Sequence, residues 1–231
     1  MSYRPHLARV VRRAAAGCPP WEVPRRLCEV LSRGLPVDAV TMSLLTDTPS
    51  RQLLCASNDM AARLEEVQFT VVEGPCIEAA ATGERVHVPD LPAAAGRWPL
   101  FVAALRERRP DIGAVHAFPL WFGDYVLGSV DLACRAAGGM PADAVDQAVE
   151  AADAAAHALL PTQRMLLEDE DYPSWEPSDV VRAHWSDTHQ AVGVVAARKQ
   201  ISTADALALM RARAFSTGRT LAEITADILS S

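Results

Sequence analysis

The sequence predicts an α+β protein: an antiparallel sheet with helices packed on it, followed by a small C-terminal bundle of three helices. Three observations carry that reading. Strand-like runs come in adjacent pairs, and the segments between them carry apolar residues at helical spacing. The charge balance also changes after an acidic, proline-containing stretch at 167–177.

A chain of 231 residues suits two domains. Half of it is hydrophobic, 22% is charged and the net charge is -7, which is the composition of a soluble globular protein rather than a disordered one. No apolar run is long enough to span a bilayer. Arginines interrupt the opening "MSYRPHLARVVRRAAAG" where a signal peptide would keep an apolar core, so the expectation is a cytoplasmic protein without a membrane segment. Cys18, Cys28, Cys55, Cys76 and Cys134 are scattered, odd in number and without C-x-x-C spacing, and read as reduced, mostly buried thiols.

In chain order, "PPWEVPRRLCEVLSRGL" has helical spacing at Val23, Leu27, Val30 and Leu31. "VDAVTMSLLTD" and "RQLLCASN" then read as the strands of a hairpin. Gly74-Pro75 opens a short helix, Gly83 ends it, and "RVHVPDL" is a brief strand. "RWPLFVAALRERR" is amphipathic, with Leu100, Phe101, Ala104 and Leu105 on one side. "GAVHAFPLWFGDYVLGSVDLACR" gives two apolar strands joined at Gly123-Asp124, a pair suited to a tight turn. The helix 141–160 carries a narrow stripe of Val145, Val149, Ala152, Ala156 and Leu159, whose small residues would allow close approach of a second subunit, hence an expected homodimer.

These residues resemble a known family. The run "VEGPCIEAAATGERVHVPDL", the "RWPLF" after it and "FPLWFGDYVLGSVDL" are similar to the GAF sensor domains of actinobacterial regulators, over roughly residues 20 to 160. Residues 179 to 231 resemble the ANTAR domain through Gln190-Ala191-Val192-Gly193, Ala206-Leu207, Met210-Arg211, Ala214 and Leu221-Ala222-Glu223-Ile224. Together the two resemblances imply a GAF-like antiparallel sheet followed by a three-helix RNA-binding bundle. They imply a signal-responsive transcription antitermination regulator that holds paired stem-loops of nascent RNA, works as a dimer and takes an unidentified small-molecule or protein signal at the GAF half. The implied division is a GAF-like sensor with its N-terminal helix at 1–166, an acidic linker at 167–177 and an ANTAR-like domain at 178–231. The chain departs from the ANTAR pattern at Val192, where lysine is usual, at Thr188, where isoleucine is usual, and at Thr225, where alanine is common. Loss of the lysine removes one expected phosphate contact, worth about 1 kcal/mol.

The residues of the tail support three helices by themselves. The first starts at Ser178 or Asp179, the second at "STAD" and the third at "TLAE", the last two in capping-box form. From Ser178 onward six Lys and Arg stand against five Asp and Glu, whereas 1–177 carries 16 against 24. Arg198, Lys199, Arg211, Arg213 and Arg219 enclose one acid, Asp205, and form the place in the chain where phosphate binding is electrostatically favoured. A DNA-reading helix-turn-helix fits less well, because its would-be recognition helix, "LAEITADIL", has two acids and no side chain suited to a base edge. Solvated surface arginines and a tail that contacts protein remain the competing readings.

The sensor half shows no P-loop, no G-x-G-x-x-G and no G-x-S-x-G elbow, so no enzyme or bound cofactor is expected. Cys76 lies near a helix N-terminus that would lower a thiol pKa, although burial is the commoner fate of such a residue. His87 and His116 sit in apolar runs without a second ligand at metal spacing, so no metal is expected. Cys76, His116, Phe118 and Trp98 are the candidates for lining a ligand pocket.

Overall fold

A computed structural model describes residues 6–44, 52–108, 111–168 and 187–231. Helices α1 (Leu7–Ala15) and α2 (Val23–Gly34) lead into the hairpin β1 (Ala39–Leu44) and β2 (Gln52–Ala56). Next come α3 (Asp59–Val71), α4 (Pro75–Thr82), β3 (Val86–Val88) and α5 (Pro99–Arg108). The hairpin β4 (Ala114–Phe122) and β5 (Tyr125–Cys134) and the long α6 (Ala142–Glu168) follow. Helices α7 (Thr188–Lys199), α8 (Thr203–Ser216) and α9 (Leu221–Leu229) complete the described chain.

The five strands form one sheet in the order β2-β1-β5-β4-β3, every neighbouring pair antiparallel. Alternation along each strand gives the sheet two different faces. Val40, Met42, Leu44, Phe118, Leu120, Val130 and Leu132 point into a core closed by α1, α2 and α6. Ala39, Val115, Ala117 and Ala133 point the other way, beneath Met60, Leu64 and Val67 of α3, Ala79 of α4 and Phe101 and Leu105 of α5. The result is three layers, helix on sheet on helix.

The turns follow from their residues. Asn58 caps α3 by accepting from the Ala61 N–H at 3.0 Å, and its amide donates to the Asp38 carbonyl at 2.8 Å. Gly83 ends α4 at φ 71°, close under the Trp121 ring, where a side chain would have no room. Gly123 turns the β4–β5 hairpin at φ 56°. Ser202 caps α8, and Thr220 with Glu223 forms the full reciprocal capping box of α9.

Four expectations are revised. The buried side of α5 consists of Trp98 just ahead of it, Phe101, Val102 and Leu105, while Leu100 is 41% exposed. The α6 stripe serves the chain's own core: Ala152, Ala156 and Leu159 are at most 2% exposed, packed with Ala148, Ala151 and Ala155 behind the sheet, and Val145 and Val149 are half-buried against the same cluster. Periodicity had identified the apolar face, but α1, through Leu7, Ala8 and Val11, and the sheet are what cover it. Cys28 and Cys55 are joined in a disulfide between α2 and β2, so they are not the reduced thiols expected; Cys18, Cys76 and Cys134 are free. Helix α6 runs through Glu168, so 167–168 of the expected linker are helical, and the rest of it, with the start of the first tail helix at 178–186, lies outside the described residues. Among the described residues no helix is long and apolar enough to cross a membrane.

Gly128 sits where β5 passes β1, and a Cβ there would lie on the Ser43 carbonyl oxygen. Neither backbone can move without parting the central strands. Gly128→Ala is expected to lower the unfolding free energy by about 1–3 kcal/mol, read from the midpoint of denaturant unfolding.

Candidate functional site: a buried polar cluster and a C-terminal basic surface

The sheet face beneath α3 and α4 changes character along its length. One end is the apolar set Ala39, Val115 and Ala133. Beyond it Thr41 and Ser43 of β1 and Ser129 and Asp131 of β5 occupy the same face, paired in register as Thr41↔Asp131 and Ser43↔Ser129. All four are at most 2% exposed. Glu65 and Gln68, three apart on α3 and therefore on one side of it, and Cys76, the second residue of α4, are equally buried.

Hydrogen bonds tie these elements together. The Gln68 amide nitrogen donates to Asp131 Oδ2 at 2.7 Å, and the Cys76 backbone N–H donates to Gln68 Oε1 at 2.8 Å. The backbone N–H can meet only an acceptor, so the orientation of the Gln68 amide is fixed by its neighbours. Cys76 Sγ lies 3.6 Å from Glu65 Oε2. The turn between α3 and α4 makes the approach possible. Val72 takes φ 56°, and at Gly74, with φ 134°, a Cβ would stand 2.6 Å from Gln68 Oε1. The carboxylate of Glu73 accepts from the Leu100 and Phe101 N–H groups and caps α5, so the turn also fixes the third helix of this layer.

Two histidines meet across the sheet edge. His87 of β3 and His116 of β4 are paired in register with their Nδ1 atoms 2.7 Å apart. The Met140 N–H donates to His116 Nε2 at 3.0 Å, so the His116 proton sits on Nδ1 and is donated to His87. Burial, and then the charge His87 would carry, lower the His116 pKa to about 4.

Of the four expected pocket residues, His116 and Phe118 stand together on one face of β4, with stacked rings 6.5 Å apart, and Cys76 and Trp98 lie elsewhere. Cys76 belongs to the buried polar cluster. Trp98 is 5% exposed beneath α5, edge-on to Phe101 with the Arg97 guanidinium 4.5 Å above its ring. His116 pairs with His87 at the sheet edge, and Phe118 lies on the face covered by α6. There Phe118 borders an open cavity of about 460 Å³ with Pro119, Trp121, Glu84, Val149 and Asp153. Sequence reasoning missed Glu65, Gln68 and Asp131. The one signal available was Asp131, an acid inside the otherwise apolar "GSVDLAC".

In the tail, α7, α8 and α9 share a core of Ala191, Val192, Ala206, Leu207, Met210, Ala214, Leu221 and Ile224, and Phe69 of α3 enters the same cluster. The basic residues divide accordingly. Arg211 is half-buried with its guanidinium 4.6 Å from the Phe69 ring centre, and burial lowers its pKa to about 10. Arg219 binds Asp227 Oδ2 at 2.6 Å and the Glu223 carbonyl at 3.1 Å, and the hydrogen bond to Asp227 raises its pKa. Arg198, Lys199 and Arg213 are exposed. The seam with the sensor continues at Arg108, which donates to the Arg219 carbonyl at 2.7 Å. At Glu66, burial pushes the carboxyl above its ordinary range against the pull of a hydrogen bond with the Thr220 side chain. The departures from the ANTAR pattern also find a place here. Val192 is 6% exposed in the bundle core, and Thr188 and Thr225 are buried with their hydroxyls 3.3 Å apart, joining α7 to α9.

The buried polar cluster lies between an antiparallel sheet and the helices that cover it, inside an otherwise apolar α+β domain. Residues 22–160 match the GAF domain family, and the chain belongs to it. Its fold resembles the GAF domain of an Acinetobacter phosphoenolpyruvate-protein phosphotransferase, at 11% identity and a TM-score of 0.55, covering 72% of this chain and 96% of that one. The corresponding GAF domain from Coxiella burnetii gives 15%, 0.54, 69% and 94%. A free methionine-R-sulfoxide reductase from Neisseria meningitidis, solved in complex with its substrate, gives 14%, 0.53, 70% and 90%. At these identities the likeness is one of fold. No curated protein matches this sequence.

Two outcomes follow from the geometry. Because the folded pKa of His116 lies below its ordinary 6.5, the unfolded chain binds more protons between those values, so stability holds above pH 6.5 and falls as pH drops toward about 4. The loss is expected to approach about 3 kcal/mol and to flatten in His116→Gln, as read by unfolding across that pH range. For the threonine pair, Thr188→Val should cost about 1–2 kcal/mol by removing the partner of the buried Thr225 hydroxyl, and the double variant with Thr225→Val should cost less than the sum of the two single changes, measured as a thermodynamic cycle.

Proposed function

We propose that this chain is a signal-responsive RNA-binding regulator of transcription antitermination. The GAF domain receives the signal, and the C-terminal helices, similar to ANTAR domains, hold stem-loops of nascent RNA. It acts by binding rather than catalysis, and as a homodimer it would offer two bundles to paired stem-loops. The observation that carries the reading is the seat of Arg211, a cation of the ANTAR-like pattern, on Phe69 of α3. That helix faces two ways: Glu65 and Gln68 belong to the polar cluster, while Glu66 and Phe69 meet the bundle. A ligand that shifts α3 therefore acts on the bundle directly, and release of α8 would free Arg211 to join exposed Arg198, Lys199 and Arg213 on a phosphate-binding surface. The acidic stretch 168–171, a rival mask for the same cations, lies outside the described residues beyond Glu168.

A second reading has its own support. Leu209 and Phe215 on α8 and Leu229 on α9 are large apolar residues 36–49% exposed, as in a tail that contacts protein, and Arg219 is already neutralised by Asp227 and Glu223.

Binding of the full chain to an RNA carrying two adjacent hairpins separates the two. The RNA reading expects Phe69→Ala to raise affinity by loosening the seam. It expects Lys199→Glu with Arg213→Glu to lower affinity about tenfold or more and to flatten its salt dependence. A folded chain that binds no hairpin RNA, with or without Phe69→Ala, leaves the protein-contact reading in its place.

A further inference from the structure

The geometry points to a divalent transition-metal ion bound in the sensor domain by Cys76 Sγ, Glu65 and Asp131. These three side chains come from α4, α3 and β5, each is at most 3% exposed, and their ligand atoms lie within 4.8 Å of one another. The donor set selects the class of ion: a thiolate disfavours Mg²⁺ and Ca²⁺, while two carboxylates beside it suit a borderline ion such as Zn²⁺, Fe²⁺ or Co²⁺.

Two further features fit. Zinc bonds of about 2.3 Å to sulfur and about 2.1 Å to oxygen at a tetrahedral angle put the two donors about 3.6 Å apart, and Cys76 Sγ stands 3.6 Å from Glu65 Oε2. Asp131 presents itself with one oxygen held by the Gln68 amide, the kind of outer support that orients a metal-binding carboxylate. A dication would carry the charge opposite to the two carboxylates in this buried layer. Binding would deprotonate the thiol and pass its proton to solvent, so affinity should rise with pH. Because Glu65 lies on the helix that carries Phe69, the ion would also brace the element on which the tail rests.

The site stands apart from RNA binding and is tested without RNA. The full-length protein, stripped with a chelator, is titrated with Co²⁺ and then with competing Zn²⁺. The expected result is binding of about one ion per chain with sulfur-to-cobalt charge-transfer absorption that Zn²⁺ abolishes. Cys76→Ser should remove the absorption, which excludes Cys18 and Cys134 as its source, and Asp131→Asn and Glu65→Gln should each weaken binding about tenfold or more. The unaltered protein decides the matter even where a variant fails to fold: no charge-transfer absorption on titration overturns the site. Absorption that survives Cys76→Ser, or affinity unchanged in folded Asp131→Asn, overturns it equally.

Discussion

The upper layer of the sensor is organised around one side chain. Gln68 spends its donor on Asp131 in the middle of the sheet and its acceptor on the first turn of α4, so α3, α4 and β5 meet through a single planar amide. The neighbouring features are conditions for that meeting. Val72 and Gly74 fold the chain back over α3, Gly74 leaves room for the amide, and Glu73 holds the start of α5. In an interior of apolar side chains such a network carries weight out of proportion to its size, because removing one member leaves another buried and unsatisfied.

The two faces of the sheet divide the work. The face under α6 is filled with aliphatic and alanine side chains and gives the domain its mass of buried apolar surface. The face under α3 and α4 gives up part of that burial to hold hydroxyls, carboxylates and a thiol. A fold tolerates this where the polar end has a use, and the apolar remainder under α5 keeps the layer in place.

Local chemistry was readable in the sequence and long-range pairing was not. Gly123-Asp124, Gly74-Pro75, Gly83 and the starts at Ser202 and Thr220 identified their turns and caps because each depends on a few consecutive residues. The α6 stripe was found correctly as apolar but assigned to the wrong neighbour, since periodicity tells which face is buried and says nothing of what buries it. The polar cluster was largely hidden: Gln68 and Asp131 are 63 residues apart and become partners only when β5 takes the centre of the sheet. The same holds for His87 with His116, for Cys28 with Cys55, and for Thr188 with Thr225, where two residues that looked like separate departures from a pattern are one contact.

Helix α3 places residues for the polar cluster and residues for the tail at adjacent positions, Glu65 beside Glu66 and Gln68 beside Phe69. A helix of 13 residues is stiff, so its two sides cannot answer separate demands. On the proposed function, thermodynamic linkage works in both directions: whatever factor a sensor ligand applies to detachment of the bundle, detachment applies to the ligand. A partner that captures the tail would then reset the sensitivity of the sensor, and the concentration at which its signal binds would depend on how much of that partner is present.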